Sequence, residues 1–306
     1  MSTSSHRSAA FEPLVELVQP GARLVTSRPL EGGVSAETTM LELAQADGGV
    51  ERVVVRRHGP RDLAANPHVA HDEYHLLTFL YAAGLPVPAP RYVDEAGDLM
   101  GSPLIVIDFV DGTDTIEEDD LKQSLSQMAG FLGDLHRLDG DDPALSFLSD
   151  TQQTVAVSLA TPPDQLDDSL SEGLIREALV RPWPPKADQA RSVLHGDYWP
   201  GNILWHDGNL AAVIDWEDAG AGDPLADLAN IRLELLWWYG REAMETFTAL
   251  YRKNTGRDLA NLALWDLYAA LQPCSKLGTW GLDADELRTM QEQHAVFVQQ
   301  ALAALP

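Results

Sequence analysis

Residues 195–218, HGDYWPGNILWHDGNLAAVIDWED, constrain this chain more than any other stretch. Two short apolar runs, NILW and LAAVID, flank HDGN, and an Asp-Gly pair in that setting closes a two-residue hairpin turn. A hairpin returns the chain to its origin. The spacing therefore predicts that Asp215, at the end of the second strand, comes back beside Asn202, at the start of the first. An amide oxygen and a carboxylate at one point make a hard, oxygen-only donor pair, suited to Mg²⁺ rather than zinc. Asp197 stands five positions before Asn202, near such a metal and placed to orient or deprotonate an attacking hydroxyl. Phosphoryl transfer divides the labour in that way. The plain alternative is a polar turn with a capping aspartate.

The rest of the composition narrows the class. Lys and Arg total 21 against 47 Asp and Glu, a net charge of -26. A nucleic-acid binder needs the opposite sign over its contact face. The acidic balance suits a cationic small substrate, whose approach the field assists, and equally serves solubility alone. A single cysteine, Cys274, excludes an internal disulfide framework and a cysteine-based zinc site. The N-terminus MSTSSHRSAAFEPL has no apolar signal core, and no run reaches the ~18 apolar residues of a membrane span. A cytoplasmic, soluble protein is expected, with its oligomeric state open.

Along the chain, a helical stretch from Phe11 to Val18 precedes a strand, a Gly turn, a strand, a DGG turn and a third strand, VVVRR. A helix is expected from Pro67 to Gly84, then two more strands around a turn. From Leu121 the pattern turns helical. Residues 139–190 are rich in Asp, Ser and Pro, with RPWPPK as a stiff connector, and with the C-terminal helices they are expected to set substrate identity. Leu225 to Leu305 is helical again. A β-rich front and an α-rich back suggest two lobes: residues 1–107, a connector at 108–112, and 113–306.

LHGDYWPGNIL followed by AVIDWEDAGAGDPLADLA resembles the aminoglycoside phosphotransferase and choline kinase-like family, relatives of the protein kinases. The resemblance runs from about Leu24 to Leu236 and is strongest between Val193 and Ala229. It implies an α+β, two-lobed protein kinase-like fold: a small antiparallel sheet with one helix, then a larger helical lobe. It implies an ATP- and Mg²⁺-dependent kinase of a small hydroxylated compound, either an antibiotic or a metabolite. Asp197 would be catalytic, while Asn202 and Asp215 would hold magnesium. His195 would shape the loop, and Asp227 would tie down the loop's backbone. The turn containing Gly33 and Ser35 would cover the phosphates, and the connector at Asp108, Phe109 and Val110 would receive the adenine.

The front lobe adds a test from helix phase. Val69, Leu76, Leu77 and Leu80 share one face, and Glu73 falls on that face. A carboxylate turned toward a core is costly unless paired. In a kinase-like lobe its partner is a strand lysine, and here Arg56 stands in that place, with Arg57 on the other strand face as the alternative. Glu217 and Asp218 would either face a substrate amine or lie solvated in their loop. Leu236-Trp237-Trp238-Tyr239 would either line a pocket or fill the core. A catalytically silent nucleotide-binding module is the rival class, motivated by the missing lysine. A metal-dependent hydrolase fits poorly, with only His195 near the site. No activation segment ending in APE follows Asp215, which argues against a protein kinase.

Overall fold

The computed structural model describes residues 3–30, 36–117, 120–185 and 190–305. The chain divides into two compact units, one of residues 1–112 with 211–217, the other of residues 113–210 with 218–306.

In the first unit, α1 (Thr3–Val18) precedes β1 (Arg23–Pro29), β2 (Ala36–Ala44) and β3 (Val50–His58). Two helices follow, α2 (Pro60–Ala65) and α3 (Val69–Ala82), then β4 (Pro90–Asp94) and β5 (Leu104–Asp108). The five strands form one sheet, ordered β1-β2-β3-β5-β4, and every pairing is antiparallel. Alternation along β3 sorts its side chains between two faces. Val53 and Val55 join Phe11, Leu14 and Val15 of α1 in an apolar cluster with Leu41, Leu43, Leu104 and Val106. Arg56 and His58 point to the opposite face, toward Glu73 of α3.

The helix expected from Pro67 begins two residues later. The Asn66 side chain explains the delay, because its Oδ1 accepts from the His68 N–H and its amide donates to Asp72. This bonding turns the chain before α3 starts. The buried face of α3 is Val69, Ala70, Glu73, Leu76, Leu77 and Leu80, the period of an amphipathic helix with a carboxylate in its stripe.

The second unit holds α4 (Leu121–Leu135), β6 (Ser149–Asp150), α5 (Thr151–Ala160), α6 (Glu172–Val180) and β7 (Ser192–Leu194). Then come β8 (Ile203–His206), β9 (Asn209–Val213), which runs into the first unit, β10 (Gly220–Gly222), α7 (Leu225–Thr255), α8 (Leu262–Leu271) and α9 (Ala284–Ala303). Within residues 139–190 several aspartates serve as caps. Asp150 accepts from the Gln153 N–H at the start of α5, and Asp142 and Asp167 do the same for short 3₁₀ turns. The turn joining β8 and β9 has Asp207 and Gly208 both at positive φ, 49° and 72°, the conformation a two-residue hairpin requires. No helix among the described residues is long and apolar enough to cross a membrane.

Candidate active site

The first unit gathers three acidic side chains around one guanidinium. Arg56 Nε lies 3.1 Å from Glu73 Oε1, its Nη2 donates to Asp215 Oδ1 at 2.9 Å, and Glu217 Oε2 is 3.6 Å away. The Arg56 side chain is 12% exposed and that of Glu73 only 2%, so water does little to screen them. Burial pushes the Glu73 carboxyl up to about 7 despite the pull of Arg56. Burial alone would lower the Arg56 guanidinium, but Glu73 and Asp215 outweigh it and hold its pKa above the ordinary value. Arg57, on the other strand face, pairs instead with exposed Glu37.

His58 completes the cluster, with Nε2 3.4 Å from Glu73 Oε2. Burial, helped by the Arg56 charge, drops His58 to about 4, so it is neutral here at ordinary pH. Glu73 Oε2, Arg56 Nε and both His58 ring nitrogens are buried with no aligned hydrogen-bond partner among the described residues. Asp215 has φ 67°, a left-handed conformation that costs an ordinary residue about 1 kcal/mol. Its neighbours hold it there: the Val213 N–H donates to Pro86 O, and the Trp216 indole donates to Val213 O.

The connector lies at the end of this unit. The Asp108 N–H donates to Ala89 O, the Phe109 N–H to Arg52 O, and the Arg52 guanidinium stacks 4.6 Å above the Phe109 ring. Gly33 and Ser35 fall outside the described residues.

The second unit builds the loop that carries Asp197. Asp227, 1% exposed in the first turn of α7, accepts the His195 N–H at 2.8 Å and the Gly196 N–H at 2.9 Å. His136 Nε2 adds a third bond at 3.1 Å, while its Nδ1 accepts from the Tyr251 hydroxyl at 2.7 Å. Burial lowers the His136 pKa, so the imidazole is neutral with its proton on Nε2. Burial would raise Asp227, but the His136 bond and the loop amide override it, and its pKa falls. Gly196 has φ 84°, and a Cβ there would sit 2.0 Å from Asp218 O, so only glycine fits.

Asn202 is fixed against the same loop. Its amide nitrogen donates to Asp197 O at 2.9 Å and to Asp197 Oδ2 at 3.2 Å. The amide's donors are thereby spent on Asp197, and its Oδ1 remains as an acceptor. Asp197 opens on a cavity of about 460 Å³ within this unit, lined also by Asp218, Asn230, Glu234, Trp237, Tyr268 and Lys276. Burial, then the Asp197 charge, raises Glu234 to about 8, although the Trp238 indole donates to it at 3.1 Å.

The structure thus brings Arg56, Glu73 and Asp215 together in one unit, and Asp197 with Asn202 in the other. Sequence reasoning missed His58, His136, Tyr251 and Glu234. Glu234 had a usable signal, since it falls four after Asn230 and three before Trp237 on one helical face. His136 and Tyr251 had none, being distant in sequence from Asp227. Trp237 is both pocket wall and buried side chain, so the two readings of the aromatic run merge at that residue.

A model of the phosphotransferase enzyme family matches residues 26–271. Acyl-CoA dehydrogenase family member 11 of Rattus norvegicus is 26% identical over 259 residues, 73% of this chain but 32% of that protein. The chain spans about a third of the length of the curated relatives it matches first. Two solved structures are similar over nearly their whole length. Macrolide 2'-phosphotransferase MphH of Brachybacterium faecium has TM-score 0.61 at 20% identity, covering 98% of each chain. The amicoumacin kinase hAmiN, in complex with AMP-PNP, Ca²⁺ and Ami, has TM-score 0.64 at 16% identity, covering 97% of this chain and 96% of that one. With its kinase-like α+β fold, the chain belongs to the phosphotransferase enzyme family.

Proposed function

We propose that this chain is a small-molecule kinase that transfers the γ-phosphoryl group of ATP, with Mg²⁺, to a hydroxyl of a small molecule seated beside Asp197. The observation that carries the reading is the Asp197 carboxylate opening on a cavity of about 460 Å³, on a loop that Asp227 clamps. Asp197 would orient the acceptor hydroxyl and take its proton, while Asn202 holds that carboxylate in place. Asn202, through its amide oxygen, and Asp215, through its carboxylate, would hold the metal, since both are hard oxygen donors. Mg²⁺, when bound there, would neutralise phosphate charge. Arg56 would face the phosphates from its strand, Asp108, Phe109 and Val110 would present backbone to the adenine, and the Gly33–Ser35 turn would cover the phosphates.

The acceptor wall supports a neutral or cationic compound. Asp197, Asp218 and Glu234 face the cavity against Lys276, and Trp237 and Tyr268 offer flat apolar surface. A screen of the purified protein with ATP against hydroxylated compounds, amine-bearing ones included, identifies the acceptor. With that acceptor, Asp197→Ala keeps ATP affinity while turnover falls ~10²–10⁴-fold. Nucleotide binding without turnover on any acceptor would instead favour a silent nucleotide-binding module. Lost ATP affinity with intact turnover per bound complex would reverse the roles given to Asp197 and Asp215.

A further inference from the structure

His71 and His75 stand one turn apart on α3, and their ring centroids are 4.2 Å apart. Glu73 lies between them in sequence but points into the buried stripe, so the two imidazoles occupy the far side of the helix. Glu95 follows the last residue of β4. Its position is fixed by Asp94, whose buried carboxylate accepts the N–H groups of Gly97, Asp98 and Leu99 at 2.8–3.2 Å. One nitrogen from each imidazole and a Glu95 oxygen lie within 4.8 Å of one another.

We propose that His71, His75 and Glu95 form a zinc site that ties α3 to the turn after β4. The ligand set chooses the metal. Two imidazoles and one carboxylate suit Zn²⁺, whereas Mg²⁺ prefers oxygen alone. Spacing of i and i+4 on a helix lets two histidines converge on one ion. Ligands about 2.0–2.1 Å from tetrahedral zinc lie roughly 3.3 Å apart, so the three donors need draw in by about 1.5 Å at most. Half-buried His71 and exposed His75 and Glu95 have the freedom to do so. The fourth position faces solvent and takes water.

A further bond supports the site. His71 Nδ1 lies 3.0 Å from Asp72 Oδ1, and the other Asp72 oxygen accepts from the Asn66 amide at 2.8 Å. With Nδ1–H donated to a carboxylate, the imidazole presents Nε2 as a lone-pair ligand, which is how metal-bound histidines are commonly oriented. Bound zinc would brace the helix whose opposite face carries Glu73. None of this depends on the phosphotransfer reading.

Calorimetric titration of the full chain with Zn²⁺, at saturating Mg²⁺ to occupy oxygen sites, tests the proposal. One zinc is expected to bind and to raise the thermal midpoint, and a chelator to reverse both. Glu95→Gln and His75→Ala should each weaken zinc at least tenfold and abolish the midpoint shift, leaving phosphotransfer without zinc unchanged. Asp72→Asn should weaken it by about tenfold through His71 orientation. The absence of zinc binding, or equal zinc affinity in wild type, Glu95→Gln and His75→Ala, overturns the site.

Discussion

Each unit of the molecule is organised around one buried charge, and the two charges are treated in opposite ways. Asp227 is an anion surrounded by donors: two loop amides and a histidine, with the N-terminal turn of α7 adding its positive end. Arg56 is a cation surrounded by acids, Glu73, Asp215 and Glu217. The first arrangement satisfies its charge with two backbone amides and one neutral imidazole. The second uses side chains, and it leaves Glu73 Oε2 and the His58 nitrogens unaligned. Buried polar groups left unaligned mark a cluster that awaits another partner or changes arrangement during its work. Asp227 therefore builds a rigid loop under Asp197, while Arg56 holds an adjustable set of acids.

The largest effect separates the two directly. Asp227→Ala strands the His195 and Gly196 amides and the His136 N–H in a site with almost no solvent. The expected loss is ~3–5 kcal/mol of unfolding free energy, read from urea denaturation. Arg56→Met should cost less, because Glu73 can take a proton once its cation is gone. If the two variants lose the same stability, the contrast between a rigid and an adjustable charge fails.

Next comes the pH dependence. Glu73 titrates near 7 in the folded chain, against an ordinary 4.5. Between those values the native state keeps a proton that the unfolded chain has released. Stability from this group is therefore fully present below about 4.5 and is lost as pH rises through 7, a change of up to roughly 3 kcal/mol. Glu73→Gln should flatten that slope in denaturation curves taken from pH 5 to 8. Parallel slopes for wild type and variant would mean that Glu73 stays ionised throughout.

Much of this was legible in the chain, for reasons that differ by residue. The hairpin was readable because Asp207-Gly208 is a local turn signal, and local signals need no tertiary information. Glu73 was readable because a polar residue in an apolar stripe conflicts with its own helix, and such conflicts mark a partner elsewhere. The short helices within residues 139–190 were not legible, because Asp serves loops and helix caps alike, and composition cannot separate the two. The side chains behind Asp227 were hidden: His136 reaches it, and Tyr251 reaches His136, only through the packing of α4 on α7. Long-range packing of that kind leaves no periodicity to read.

The Arg56–Glu73 pair sharpens the comparison further through a double-mutant cycle. Glu73 holds only part of Arg56, since Asp215 and Glu217 share the guanidinium. Arg56→Met and Glu73→Gln together should cost less than their summed single losses, by about 1–2 kcal/mol at pH 8. Simple additivity would count against the pair and return the phosphate-facing role to a residue such as Arg57. Arg57→Ala is expected to leave ATP affinity nearly unchanged, because its partner is exposed Glu37 on the other strand face.

The smallest effect asks what the guanidinium adds beyond its charge. Arg56 uses two different nitrogens, Nε near Glu73 and Nη2 on Asp215, so one planar group spans the helix and the aspartate loop of the same unit. A lysine brings a single nitrogen on a flexible stem, which keeps the charge but not the span. Arg56→Lys should therefore retain most of the Glu73 stabilisation and lose the Asp215 bond, at about 1 kcal/mol. Nucleotide affinity should fall far less than in Arg56→Met. It should rise if the Asp215 bond competes with metal for that carboxylate. Introducing Asp215→Ala decides where the loss arises. That change should cost stability in the arginine background and almost none beside Arg56→Lys, since the lysine no longer reaches it. Equal costs in both backgrounds would show that charge alone holds the cluster and that the fork contributes nothing.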